Sequence, residues 1–227
     1  MKYYKIDIKR IFPELGRISS SSNGKNILNS NVFFDKMRKG EILYNTPIFD
    51  HFVLESFDKE EFWEWALFDV YDGIGDYPGN FNWYISENFK TLLEKYKVAP
   101  KFHFYETKLL YKGEKLKYWI FQFMASYRKL NKMNLIDFSK STFSINSQNY
   151  KFNSYEDWSN ENEAVYEEYN LDLQLNRVCL KHFFDFIPLS PIISDIICSE
   201  NLKKAIEENE ITGFEFAELD YEVVVEF

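Results

Sequence analysis

Three carboxylates stand close together at Asp69, Asp72 and Asp76, interleaved with Gly73, Gly75 and Gly79. Such a group could ligate a divalent cation or supply an acid/base pair. The spacing departs from the calcium-loop pattern, however, and Asp and Gly are also the residues that turns demand. Turn chemistry is therefore the better reading, and no metal site is expected. His51, His103 and His182 are far apart in the chain, and none stands at metal-ligand spacing. There is no Gly-rich phosphate loop and no Gly-x-Ser-x-Gly elbow. An enzyme would have to be built on Asp69, Asp72 and Asp76, and the expectation is that the chain is not one.

Two other segments carry residues suited to binding. Residues 89–140 combine twelve Lys or Arg with Phe, Tyr and Trp, a mixture that could stack on and neutralise single-stranded nucleic acid. Lysines alternating with aromatics are also what a half-buried hairpin requires, and the chain has a pI near 5.0, so a solvent face is favoured over nucleic acid. Between residues 154 and 170, Trp158, Tyr166 and Tyr169 sit amid Glu156, Asp157, Glu161, Glu163, Glu167 and Glu168. Aromatics in a charged surround are favoured interface anchors. Trp158, Glu163, Tyr166, Glu167 and Glu168 are accordingly the expected partner-binding residues. The denser cluster Phe62, Trp63 and Trp65 reads instead as core.

The elements that must position these residues follow from local pattern. The 227 residues are 45% apolar and 19% aromatic, enough for a sizeable core without disulfides or metals. Cys179 and Cys198 lie in apolar runs that read as buried strands. No secretion signal and no apolar run long enough to span a membrane is visible, so a cytoplasmic location without membrane attachment is expected. Net charge is −9, distributed in blocks: residues 1–40 and 89–140 are basic, whereas 41–88, 141–199 and 200–227 are acidic. An acidic surface of this kind would attract a basic partner.

Residues 14–31, rich in Ser, Asn and Gly, read as a loop. The aromatic stretch from His51 to Val70 reads as strand, ended by a turn-rich segment over 72–79. Ser86 precedes Phe89, Leu92, Leu93 and Tyr96 at helical spacing, a Ser-capped amphipathic helix with Glu87 in its first turn and Pro100 as its stop. Phe102–Tyr111 and Leu116–Met124 flank Lys112-Gly113-Glu114-Lys115 as a hairpin. Residues 154–170 fit either a short helix or an ordered loop.

An internal echo organises the whole. Ile85-Ser-Glu-Asn-Phe-Lys-Thr-Leu-Leu-Glu94 aligns with Cys198-Ser-Glu-Asn-Leu-Lys-Lys-Ala-Ile-Glu207, and Phe102-His-Phe-Tyr-Glu106 with Phe214-Glu-Phe-Ala-Glu218. The two stretches, 83–106 and 196–218, each read as strand, Ser-capped helix, turn and strand. Two copies are too few for a solenoid. The expected fold is a mixed α/β (α+β) single domain over residues 1–227, with two related strand-helix-strand halves around a largely antiparallel or mixed sheet.

Glu60-Glu-Phe-Trp-Glu-Trp-Ala-Leu-Phe-Asp-Val70, Tyr77-Pro-Gly79, Ile85-Ser-Glu-Asn-Phe-Lys90 and Leu109-Leu-Tyr-Lys-Gly-Glu-Lys-Leu-Lys-Tyr-Trp119 together resemble the immunity protein 43 family of bacterial polymorphic toxin systems. The closing Ile196-Ile-Cys-Ser-Glu-Asn-Leu-Lys-Lys-Ala-Ile-Glu207 with Thr212-Gly-Phe-Glu-Phe216 is similar to the ending of the related immunity protein 11 group. The resemblance covers roughly residues 33–218. It implies a cytoplasmic antitoxin that binds a cognate toxin domain and blocks it by occlusion, with no catalytic residues and no cofactor. The acidic blocks would suit a toxin that is a basic nuclease.

Overall fold

The computed structural model describes residues 2–13, 16–22, 30–56, 66–75, 82–123 and 135–226. Within them lie four helices and fifteen strands in three sheets, a mixed α+β single domain as the sequence predicts.

The largest sheet is a barrel. Strands β3 (Gly16–Ser22), β4 (Phe49–Ser56), β7 (His103–Tyr111), β8 (Glu114–Gln122), β6 (Asn82–Ser86) and β5 (Val70–Gly75) pair in that order, and β5 pairs back onto β3. The two-residue β2 (Ile11–Phe12) is appended to β3. A barrel of six strands has a lumen that side chains can fill, and here the filling is aromatic. Phe52 and Tyr84 stack with centroids 3.7 Å apart, and Tyr71, Tyr105 and Tyr118 are buried in the same cluster. Helix α1 (Ser30–Arg38) adds Phe34 and Met37 to it. Buried phenols need partners: Tyr118 donates to the Phe68 carbonyl, and Tyr105 donates to Gln122, whose amide in turn donates to the Met37 carbonyl. The β7–β8 hairpin closes through Lys112 (φ 49°) and Gly113 (φ 84°), the left-handed pair that a two-residue type I′ turn requires.

A second sheet has the order β12 (Phe186–Pro188), β13 (Ile196–Ser199), β1 (Tyr3–Ile8), β14 (Phe214–Ala217), antiparallel throughout. A third runs β10 (Gln148–Tyr150), β9 (Thr142–Ile145), β11 (Gln174–Leu180), β15 (Glu222–Val225). Helices α2 (Glu87–Leu93) and α4 (Glu200–Glu208) share one core with the first two sheets through Phe89, Leu93, Leu202 and Ile206. The longest helix, α3 (Tyr155–Tyr169), packs on the core of the third sheet.

The echo takes a specific form. The barrel segment β5-β6-β8-β7 and the sheet β12-β13-β1-β14 have the same succession of antiparallel pairings. In the first half the inner strand β8 follows β7 directly. In the second, the N-terminal strand β1 fills that place. Ser86 and Ser199 cap α2 and α4 as predicted, each accepting a hydrogen bond at 3.2 Å from the backbone N–H three residues on. Ser86→Ala and Ser199→Ala should each cost about 0.5–2 kcal/mol. Chemical denaturation should place the second loss above the first, because Ser199 is fully buried and its removal leaves a buried carboxylate short of a donor.

Several expectations need correction. Gly16–Ser22, inside the expected 14–31 loop, is a strand because barrel neighbours on both sides take up its backbone groups, and such tertiary pairing outweighs a Ser-rich composition. Residues 72–75 belong to β5 rather than to a turn, for the same reason. In the stretch read as strand from His51 to Val70, β4 ends at Ser56 and 66–69 are not strand. Helix α2 ends at Leu93, well before Pro100. Phe62, Trp63, Trp65 and residues 23–29 lie outside the described residues. Cys179 and Cys198 are buried strand residues as expected. Burial raises both thiols, that of Cys198 to about 12. Neither should react with a thiol reagent in the native state, and both should react after denaturation.

Candidate functional site

The segment left open between helix and loop is α3, and its sequence explains why. Ser154 accepts from the Asp157 N–H at 3.0 Å, and Glu156 and Asp157 lie in the first turn, where the helix dipole favours carboxylates. Trp158 and Val165, seven residues apart, are the buried contacts. At the far end Asn170 takes the left-handed conformation (φ 56°) and returns its N–H to the Tyr166 carbonyl, a C-cap geometry that Asn tolerates. Asn162 fixes the exit of the chain by donating to Asp172 and accepting from the Leu173 N–H. The helix is therefore held at both ends and along one side.

Its outer surface carries Glu163, Tyr166, Glu167 and Glu168, all exposed. Tyr166 and Glu167 follow Glu163 by three and four residues, so both lie beside Glu163 on one face. Tyr169 and Leu171 add further exposed apolar surface at the same end. The expected anchor Trp158 is a correction. It is only 4% exposed and packs against Phe138, Phe143 and Tyr155, so it supports the helix from beneath and cannot touch a partner in this conformation. The indole N–H finds no acceptor among the described residues.

From Phe152 to Asn176 the chain has no Lys, Arg or His, but seven carboxylates. Among the described residues none of those on α3 forms an ion pair. Each of the other helices described has at least one: Asp35 with Arg38, Glu94 with Lys90, and both Glu207 with Lys203 and Glu200 with Lys204. Glu163 and Glu167 repel each other four residues apart, and Glu167 and Glu168 occupy the last turn, where the dipole disfavours them.

The other candidates have structural employment. Asp69 accepts from the Ser86 hydroxyl at 2.5 Å and from both the N–H and the hydroxyl of Thr212 at 2.9 Å. Asp72 pairs with Arg10 at 2.7 Å, and Asp76 lies outside the described residues. The described residues hold no cluster of His, Cys, Asp and Glu fit to ligate a metal. In the basic region Lys115 pairs with Asp50, Lys117 with Glu87, and Lys90 and Lys117 both lie over the Trp119 ring at 4.7 and 4.8 Å. These lysines line a paired, solvent-facing hairpin; residues 124–134 of the region are outside the described residues. His103 lies against the rings of Tyr44 and Tyr105, where burial lowers its pKa.

Sequence reasoning missed the residue that mirrors Asp69. Asp185 accepts from the Ser199 hydroxyl at 2.6 Å and from the Lys97 N–H at 3.0 Å, while its own N–H donates to the Lys97 carbonyl. Asp69 likewise donates its N–H to the Thr212 carbonyl. Thus the Asp that braces each helix cap also grips the segment that follows the other half's helix. Gly213 completes one of these crossings: at φ 94° it passes so close that a Cβ would stand 2.9 Å from the Val70 carbonyl oxygen. The signal was present in Phe68-Asp-Val70 and Phe184-Asp-Phe186, an upstream extension of the echo.

The class these features define is an α+β protein presenting an electronegative helix face to solvent. A model described as an immunity protein family, Imm11, matches residues 74–220, and the chain belongs to that family. The matched span includes both Ser caps, the whole Asp185 crossing to Ser199 and Lys97, and all of α3, whereas Asp69, the partner of Thr212, lies just before it. The match agrees with the immunity-protein resemblance and lies with the group that the closing motif resembles. No curated protein matches the chain. Membership implies a toxin of protein kind as partner. No helix among the described residues is long and apolar enough to cross a membrane.

Proposed function

We propose that this chain is an antitoxin of a polymorphic toxin system: it binds one cognate toxin domain in the cytoplasm and neutralises it by non-covalent occlusion, without catalysis and without a cofactor. The family match over residues 74–220 carries the reading. The geometry supports occlusion over chemistry, because the oxygens of Asp69 and Asp72 are engaged in capping and ion pairing. A helix face whose carboxylates form no ion pair among the described residues supports a basic toxin, with a nuclease as the natural class, since opposite potentials speed encounter.

Co-expression with the toxin domain encoded beside this chain tests the reading. A stable complex should co-purify, and separation in denaturant followed by refolding of the toxin should restore its activity, with its mass unchanged. A toxin that stays fully active beside the chain, or one inactivated through covalent modification, would refute it.

A further inference from the structure

We infer that the C-terminal half of α3 docks a lysine- and arginine-bearing protein surface, with Tyr166 as the apolar centre and Glu163, Glu167 and Glu168 as its charged surround. The occupant is the toxin domain of the preceding section, and the inference rests on that reading. Three independent features converge on this face.

The first is exposure. Tyr166 is 51% exposed on a helix of which only Trp158 and Val165 are buried, and Leu171, just past its C-cap, is 53% exposed. A large aromatic with polar neighbours is the usual composition of an interface centre, in which carboxylates form the rim. The second is charge. Each of the other helices described carries an ion pair along it or at its C-cap, whereas the α3 carboxylates pair with no cation among the described residues. Their arrangement works against the helix, through like charges at Glu163 and Glu167 and acids in the last turn. A partner's cations would relieve both penalties. Local rules broken in this way are expected at functional sites. The third is rigidity. The Ser154 and Asn170 caps, the Asn162 clamp and the Trp158 anchor hold the face in place before binding, which lowers the ordering cost of association.

The same charge argues against other occupants. Nucleic acid would be repelled, and the net charge of −9 makes the long-range field between two copies repulsive. The Trp158 side chain, lying beneath, is a support of this face and not part of it.

Surface-plasmon measurements would use the immobilised toxin domain and three full-length chains: wild type, Tyr166→Ala, and the triple variant Glu163→Gln, Glu167→Gln, Glu168→Gln. All four substitution sites are exposed, and unchanged circular dichroism and melting would verify folding. Tyr166→Ala should weaken affinity about thirtyfold, mainly through faster dissociation. The triple variant should associate about tenfold more slowly at low salt and show a flatter dependence on ionic strength. Wild-type kinetics in both variants, with wild-type binding intact, would overturn the docking face while leaving the antitoxin reading standing. Absence of wild-type binding would remove both. Self-association of the wild type that the triple variant abolishes would assign the face to a second copy and also overturn the inference.

Discussion

Replacing Trp158 by alanine is expected to destabilise the protein by about 3–5 kcal/mol, the range for deleting a buried indole, and so to lower the urea midpoint sharply with the m-value unchanged. The side chain is 4% exposed, within about 6 Å of three aromatic rings, and is one of only two buried residues on α3. Trp158→Phe supplies the control. It loses volume but also removes a buried N–H that has no acceptor among the described residues, so its cost should fall well below that of alanine. A midpoint left unmoved by Trp158→Ala would return this residue to the surface, where its acidic neighbours in the sequence first place it.

The second large effect is expected at Asp185. Asp185→Ala should cost about 3 kcal/mol or more, because hydrogen bonds to a charged group are each worth roughly 1.5–3 kcal/mol and their loss strands the Ser199 hydroxyl and the Lys97 N–H. Asp69→Ala removes the equivalent brace in the other half, but its bonds to Thr212 are exposed and water can replace the lost acceptor. Denaturation of the two variants side by side should therefore rank Asp185→Ala as clearly the worse. Equal losses would contradict the difference in burial on which this ranking depends.

The same residues show what was legible in the sequence. The caps at Ser86 and Ser199, the hairpin at Lys112-Gly113 and the two related halves could be read because each is set by local spacing and turn chemistry. Barrel closure could not, since it rests on pairing between Ser20–Ser22 and Gly73–Gly75, a serine run and a glycine-flanked Ile74 with no strand pattern of their own. Nor could the role of β1, a strand from the start of the chain inserted between β13 and β14. The α3 segment failed for a subtler reason. Tyr155, Trp158, Asn162 and Val165 do recur at helical spacing, but a stripe with an Asn in it and carboxylates crowded around it offers little amphipathic contrast. In the candidate site, therefore, Glu163, Tyr166, Glu167 and Glu168 are exposed as the sequence led one to expect, and Trp158 is not.

The central claim is stoichiometric neutralisation, and titrating the purified chain into a fixed, high concentration of the neighbouring gene's toxin domain tests it most directly. Occlusion by a tight one-to-one complex predicts that toxin activity falls linearly and reaches its floor at equivalence, and that the inhibited complex contains both chains unmodified. Activity that persists beyond equivalence, or that is abolished by a small catalytic fraction of the chain, would contradict the account.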